Sequence, residues 1–184
     1  FSPDGNLALT ASLDKTARIW ETGAGRELAV LHGHQDGLLS AVFSSDGKWI
    51  ATGGRDAVVR VWEAGSWRGL QELAGHTASV TRVAFSPDGR LLATTASDGT
   101  VRVWERQTGQ NVWQIRIQSA DVSNAVFSPD GNHIAAASSD GIARIYDCEV
   151  CLSIPELVRL MQSRVTRQLT PEEREKYLHE STSK

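Results

Sequence analysis

The chain has 184 residues and a formal net charge of −3. That balance excludes the basic excess a nucleic-acid-binding surface needs, and no apolar run is long enough to span a bilayer. Two cysteines are too few for a disulfide scaffold and fit a cytoplasmic chain.

One phrase recurs every 42 residues. Phe1, Phe43, Phe85 and Phe127 each open an F-S-x-D-G segment; Asp14, Asp56, Asp98 and Asp140 follow in step, then Trp20, Trp62, Trp104 and Tyr146. Three residue types holding one period without insertion mark a unit that cannot bury its apolar surface alone and must stack on its neighbours. In the third unit, 80–85 is a predicted strand, Ser86-Pro87-Asp88-Gly89 a turn and 91–95 a second strand. Asp98-Gly99 then turns into a third strand, 100–104, and a fourth runs from about 111 to 115. Proline presets φ at the second turn position and glycine tolerates φ > 0 at its end. Valine, threonine and tryptophan favour the pleated stretches between. Apolar residues occur on both strand faces, so both faces should be covered, and four-stranded units of this period read as blades of a β-propeller. From the first Phe the chain supplies the outer three strands of one blade, two whole blades and the inner three strands of a fourth.

From Ser153 the composition changes and the turn residues vanish. Ser153-Ile154-Pro155-Glu156 is a capping box, and Ile154, Leu157, Val158, Met161 and Val165 share a helical stripe. Thr170-Pro171-Glu172-Glu173 repeats the start signal with proline at the first helical position. Residues 148–184 are therefore expected to form a tail with helices near 154–165 and 171–179, packed on the propeller rim; a docking element for another domain or copy, and a flexible tail, are the alternatives.

The repeat resembles the WD-repeat (WD40) family over residues 1–147. Gly33-His34 and Gly75-His76 are similar to that family's Gly-His step, and Ile19-Trp20, Val61-Trp62 and Val103-Trp104 to its closing Trp, with Glu following where Asp is usual. The resemblance implies an all-β fold, a partial WD40-type propeller of about 3–4 four-stranded antiparallel blades with the two-helix tail after it. It also implies an internal hydrogen-bond chain from Trp through Ser or Thr and His to the turn Asp. The positions expected to serve it are Ser12, Asp14, Trp20, His34, Asp56, Trp62, His76, Asp98, Trp104, Ser138 and Asp140. The hydroxyl is expected two residues before the turn Asp, where the second and third units have Gly54 and Ala96. Ser97, one residue on, points to the opposite face. The fourth unit has Gln118 for His and Tyr146 for Trp. The expectation is that no unit is complete and that at least two blades rely on water or packing instead. Propellers of this family usually need more blades, and an N-terminal strand, to close. Further blades are therefore expected upstream of Phe1, with an authentic C-terminus.

His34 with Asp56, and His76 with Asp98 and Ser97, imitate hydrolytic groups. Their repetition at the blade period argues for structure, since an active site is needed once. No catalytic, cofactor or metal site is expected: Gly53-Gly54 lacks the lysine and helix of a phosphate loop and reads as a bulge or turn. Cys148 and Cys151 form a Cys-x-x-Cys pair. Ordinary thiols is the preferred reading; zinc with ligands elsewhere, to which His133 could add one, and a redox pair stay open.

The family's binding rim maps onto Gln35, Asp36, Arg55, Thr77, Ser79, Ser97, Asp121 and Ser139. Arg55 stands out because the other units carry Leu13, Ser97 and Ser139 there. Trp67 occupies a turn position held by Gly25 and Gly109 elsewhere, as packing against the adjacent blade or as an exposed anchor. The leading expectation is a non-enzymatic scaffold or sensor that binds a protein or peptide, without cofactor, nucleic acid or membrane. Residues 164–174 resemble tails of large bacterial WD-repeat signalling proteins, which implies a STAND-type nucleotidase or a kinase upstream. The alternatives are a propeller regulating such an enzyme, and a half-propeller that self-associates through its open edge.

Overall fold

The computed structural model describes residues 1–117 and 121–151. Gln118 and the expected helices near 154–165 and 171–179 lie outside the described residues. Contacts divide the chain into Phe1–Cys151 and Leu152–Lys184, and the first unit is the one described below.

Among the described residues fourteen strands form four antiparallel sheets, each a simple meander. The first sheet holds β1 (Leu7–Ala11), β2 (Ala17–Glu21) and β3 (Arg26–Leu31). The second holds β4 (Leu38–Phe43), β5 (Trp49–Gly54), β6 (Val58–Glu63) and β7 (Gly69–Ala74). The third repeats it with β8 (Val80–Phe85), β9 (Leu91–Ala96), β10 (Thr100–Glu105) and β11 (Asn111–Arg116). The last has β12 (Val122–Phe127), β13 (His133–Ser138) and β14 (Ala143–Asp147), then a 3-10 turn at Glu149–Cys151.

The F-S-x-D-G phrase makes the turn between a blade's first two strands. In the third sheet Ser86 Oγ donates to Asp88 Oδ1 at 2.5 Å and accepts the Leu91 N–H at 2.9 Å. Gly89 closes the turn at φ +70°, a left-handed conformation that costs glycine little. Ser44 and Asp46 repeat the device at 2.6 Å. At the other end, the pairing of first and second strands slips between Leu38 and Ser40, Val80 and Arg82, and Val122 and Asn124. Such bulges add local twist.

The core lies between sheets rather than within them. One cluster joins Ala17, Ile19 and Leu31 of the first sheet to Leu38, Phe43, Ile50 and Trp62 of the second. Another joins Val59, Val61 and Leu73 to Val80, Val83, Leu92 and Trp104. A third joins Leu91, Val101 and Val103 to Val122, Ala125 and Ile134. Each fully buried Leu, Ile or Val contributes roughly 1.5–3 kcal/mol relative to exposure, so every sheet depends on its neighbour. Polar links reinforce the inner strands: the Val83 N–H donates to Ser40 Oγ at 3.2 Å and Thr81 Oγ1 to the Val122 carbonyl at 2.6 Å.

Gly53-Gly54 lies opposite the bulge between Leu38 and Ser40, and Gly54 opens the following turn, its carbonyl accepting the Ala57 N–H at 3.3 Å. Both residues lie in β5, with Gly53 opposite Ser40 across the slip that β4 makes. A Cβ on Gly53 would stand 2.6 Å from Val80 Cγ1 and 2.8 Å from Val83 Cγ2, so the glycine is where the third sheet approaches most closely. Trp67 takes φ 59°, the conformation its glycine counterparts hold freely, and packs on the cluster between the first two sheets. It is half-buried there rather than an exposed anchor.

The closeness at Gly53 gives a direct test. Gly53→Val should lower stability by about 1–3 kcal/mol through overpacking, read as a fall in the denaturation midpoint with an unchanged slope.

Candidate functional site

Trp62, Thr52, His34 and Asp56 form one unbroken chain in the second sheet. Trp62 Nε1 donates to Thr52 Oγ1 at 3.0 Å, His34 Nε2 lies 2.8 Å from the same hydroxyl, and His34 Nδ1 lies 2.9 Å from Asp56 Oδ2. The third sheet repeats it: Trp104 to Thr94 at 2.8 Å, Thr94 to His76 at 2.7 Å, His76 to Asp98 at 3.0 Å. The carboxylates accept only, so Nδ1–H must donate to them. With the imidazole neutral, as burial favours, Nε2 accepts the Thr O–H, while the Thr oxygen accepts the Trp N–H. That direction of bonds requires a neutral imidazole.

This corrects the expectation that no unit is complete. The hydroxyl stands four residues before the turn Asp, not two, as Thr52 and Thr94; in the first sheet Thr10 accepts from Trp20 Nε1 at 3.0 Å. The reason is register. Trp62 pairs with Ile50 and Trp104 with Leu92, so the residue two farther along the same face is the one an indole reaches diagonally. Ser12 and Ser138 lie too far along and serve turns instead. Ser12 Oγ accepts the Asp14 N–H at 3.2 Å, and Ser138 Oγ bonds Asp140 and accepts from Arg144 at 3.0 Å. The recurrence of Thr10, Thr52 and Thr94 at 42 residues was a legible signal. The fourth unit has Ala136 there.

Where no described His meets the turn Asp, an arginine does: Arg18 reaches Asp14 at 3.2 Å and Arg144 reaches Asp140 at 2.7 Å. In the second sheet the equivalent Arg60 pairs with Glu72 at 2.7 Å, and in the third Arg102 lies over the Trp104 ring. Asp98 feels burial, which raises its pKa, but bonds from the Thr100 hydroxyl, the Thr77 N–H and His76 outweigh it and hold the carboxyl at about 2. Burial pushes both imidazoles below their ordinary 6.5, against the pull of Asp56 and Asp98.

These carboxylates also organise the loops around them. Asp56 accepts the Gln35 N–H at 2.9 Å and Asp98 the Thr77 N–H at 3.0 Å. The Arg55 N–H donates to the Gly37 carbonyl at 2.8 Å, Ser97 to Ser79 at 2.9 Å, and Ser139 to Asp121 at 3.0 Å. Repetition of this bond places Gln35, Asp36, Arg55, Thr77, Ser79, Ser97, Asp121 and Ser139 at one end of the strands. All are exposed except half-buried Ser79. Asp36 Oδ1 accepts the Gly37 N–H at 2.7 Å and the Gln35 side chain donates to the Gly33 carbonyl at 3.0 Å. Among the described residues the Arg55 guanidinium has no partner. A separate cleft of about 400 Å³ lies at the F-S-x-D-G turn end, lined by the inner strands β4, β8 and β12, and includes none of the rim residues.

Cys148 and Cys151 are joined in a disulfide, which replaces the expectation of ordinary thiols. His133 lies instead beside Asp147 at 3.4 Å. Among the described residues no three His, Cys, Asp or Glu side chains gather into a metal-binding group.

Antiparallel meanders packed face to face, two of them braced by a Trp–Thr–His–Asp chain, define a β-propeller of repeated blades. The family model described as WD domain, G-beta repeat, matches residues 1–21, 25–63, 67–105 and 109–147. The chain belongs to the WD-repeat family, whose members generally bind proteins or peptides and are typically scaffolds rather than catalysts. A comparison with curated proteins finds no match.

Thr94→Val removes the hydroxyl between two buried groups and should cost about 2–4 kcal/mol, since Trp104 Nε1 and His76 Nε2 both lose partners. Ser138→Ala, which removes a hydroxyl serving only its local turn, should cost less, about 1 kcal/mol, and comparing the two denaturation midpoints checks the assignment. Acid should act in two steps. With both imidazoles held below 6.5 in the folded chain, the unfolded chain binds more protons, so stability is full above 6.5 and falls as pH drops through it. Asp98, held at about 2 against an ordinary 3.8, adds stability above 3.8 that is lost as pH falls towards 2. Midpoints measured from pH 8 to pH 2 read both steps, and His76→Gln should shrink the first while His34 keeps its share.

Proposed function

We propose that this chain is a non-enzymatic scaffold or sensor that recognises a protein or peptide bearing a carboxylate, at the rim carrying Arg55. The observation that carries the reading is the Arg55 guanidinium, exposed and without a partner among the described residues, on a loop whose backbone is tied to Gly37. A planar guanidinium can give a carboxylate two parallel bonds, which supplies both energy and orientation. Gln35 and Thr77, fixed through their N–H groups to Asp56 and Asp98, offer polar groups on the same rim that need little ordering on binding. Membership of a family that generally binds proteins or peptides supports the same reading.

The wider role follows from a lesser similarity. Residues 164–174 are like the tails of bacterial signalling proteins, and the propeller would report a bound partner to a STAND-type nucleotidase or kinase elsewhere in the protein.

The rim is tested with an array of acidic peptides and their amidated, carboxylate-free counterparts. Arg55→Glu should weaken the carboxylate-bearing binders by about tenfold or more, as expected for one charge-assisted pair, and leave the neutral ones unchanged. Equal binding by both proteins would sink the assignment. Light scattering at the working concentration separates partner binding from self-association through the β14 edge, where Ile142 and Ile145 are exposed.

A further inference from the structure

The fourth sheet ends in a feature no blade repeats. After β14 the chain turns at once through Glu149–Cys151, and Cys148 is bonded to Cys151 across that turn. The two sulfurs differ in environment. Cys148 is 1% exposed and belongs to the cluster between the third and fourth sheets, whereas Cys151 sits half-buried at its margin. The turn is also clasped from the neighbouring blade: Arg90, next to the third sheet's F-S-P-D-G turn, donates to the Val150 carbonyl at 3.2 Å and the Cys151 carbonyl at 3.3 Å. From its own blade, the Asn132 carbonyl accepts the Cys148 N–H at 2.8 Å.

A cross-link between residues only three apart closes a very small loop, so it restricts the unfolded chain little and stabilises the fold weakly. The propeller core already holds Cys148 in place, and Arg90 already holds the carbonyls. A bond of small structural value, between one residue sheltered in the core and one half-buried at its margin, has the arrangement of an exchange site. A thiolate can approach Cys151, and the buried partner can act as the sulfur that leaves.

We propose that Cys148–Cys151 is a thiol–disulfide exchange site whose substrate class is low-molecular-weight thiols and dithiols. The thiolate of a dithiol attacks Cys151 Sγ, the protein S–S bond breaks, and Cys148 leaves as a thiolate and takes a proton. The second thiol of the reagent then attacks its own sulfur in the mixed disulfide and releases Cys151, which is protonated in turn. Two electrons and two protons pass from the dithiol to the protein, and the reagent departs as a disulfide. Oxidised glutathione runs the sequence backwards, giving a Cys151–glutathione mixed disulfide that Cys148 resolves with release of reduced glutathione. Reduction frees the 149–151 turn from its cross-link and leaves it to non-covalent contacts, among them the Arg90 bonds, the Asn132–Cys148 bond and the bond from the Cys151 N–H to the Cys148 carbonyl.

The test uses the full chain under native conditions. Dithiothreitol, at a concentration that leaves the near-ultraviolet circular dichroism of the tryptophans unchanged, should expose two thiols to a maleimide mass tag. Removing it and adding oxidised glutathione should hide both again. Hydrogen exchange at the Cys151 amide should quicken on reduction while β8–β11 keep their protection. In Cys148→Ser, Cys151 should take up one glutathione; in Cys151→Ser, the sheltered Cys148 should react about tenfold more slowly or less. The proposal is overturned if the bond yields only when the chain unfolds, if the thiols stay free in oxidised glutathione, or if the two sulfurs react alike. Should either variant fail to fold, the wild-type reduction and reoxidation cycle decides the matter alone.

Discussion

Each sheet in this chain has two apolar faces and can cover neither by itself. The three clusters that make up the core all draw residues from two successive sheets, so burial, the dominant favourable term in folding, is available only to sheets that stack. Much else follows from this. The close approach at Gly53, the packing of Trp67 across an interface despite its left-handed backbone, and the bond from Thr81 to the Val122 carbonyl are all ways of letting one blade lie against the next. The stacked stretch is uneven for the same reason. Every residue of β9 is buried because sheets cover both its faces, while β13 alternates and β14 leaves Ile145 74% exposed.

The Trp–Thr–His–Asp chain turns that packing into a defined surface. Four polar groups are taken out of water at little cost because each meets a partner, and the chain runs one way only if the imidazole is neutral, the state that burial favours. Its outer end is the useful one. The carboxylates of Asp56 and Asp98 spend their remaining capacity on loop amides, so the rim loops inherit rigidity from the blade interior. Arg55 therefore projects from a backbone that is already ordered. In the first and last sheets arginines 18 and 144 meet the turn Asp instead. Those blades keep the turn but tie it to a half-exposed side chain, where an ion pair contributes less.

The two ends of the blades carry different chemistry. The hydrogen-bonded rim presents polar and charged groups on short loops, whereas the opposite end gathers the F-S-x-D-G turns around a cleft walled by Val42, Ala84 and Val126. There Ser45 donates to the Pro87 carbonyl of the next blade at 2.6 Å, and Arg106 lies 4.1 Å over the Trp49 ring. This end joins blades to each other. The strap at Cys148–Cys151 belongs to it as well, through Arg90, so a change in that bond would be felt at a blade interface rather than at the rim.

The repeat length, the strand and turn positions, and the Gly-His and Trp signals that mark the family were all present in the order of residues, because each is a local or periodic property. Strand limits over 80–116 fell within a residue or two for that reason. The partner hydroxyl was not found by counting along the chain from Asp, since Thr52 meets Trp62 diagonally across two strands and register decides the contact. Gly53-Gly54 could be read as a bulge or turn from the sequence, but that Val80 and Val83 of the third sheet stand against Gly53 could not. The same distinction separates Arg18 and Arg144 from Arg55: three arginines near turn aspartates, two neutralised by a carboxylate on the adjoining strand or turn and one left facing solvent. Sequence by itself determined that this chain is a stack of β-blades, because periodicity and turn chemistry are written residue by residue. Which side chains became structural and which remained free to bind was decided only by tertiary structure, because those contacts join residues on different strands and different blades.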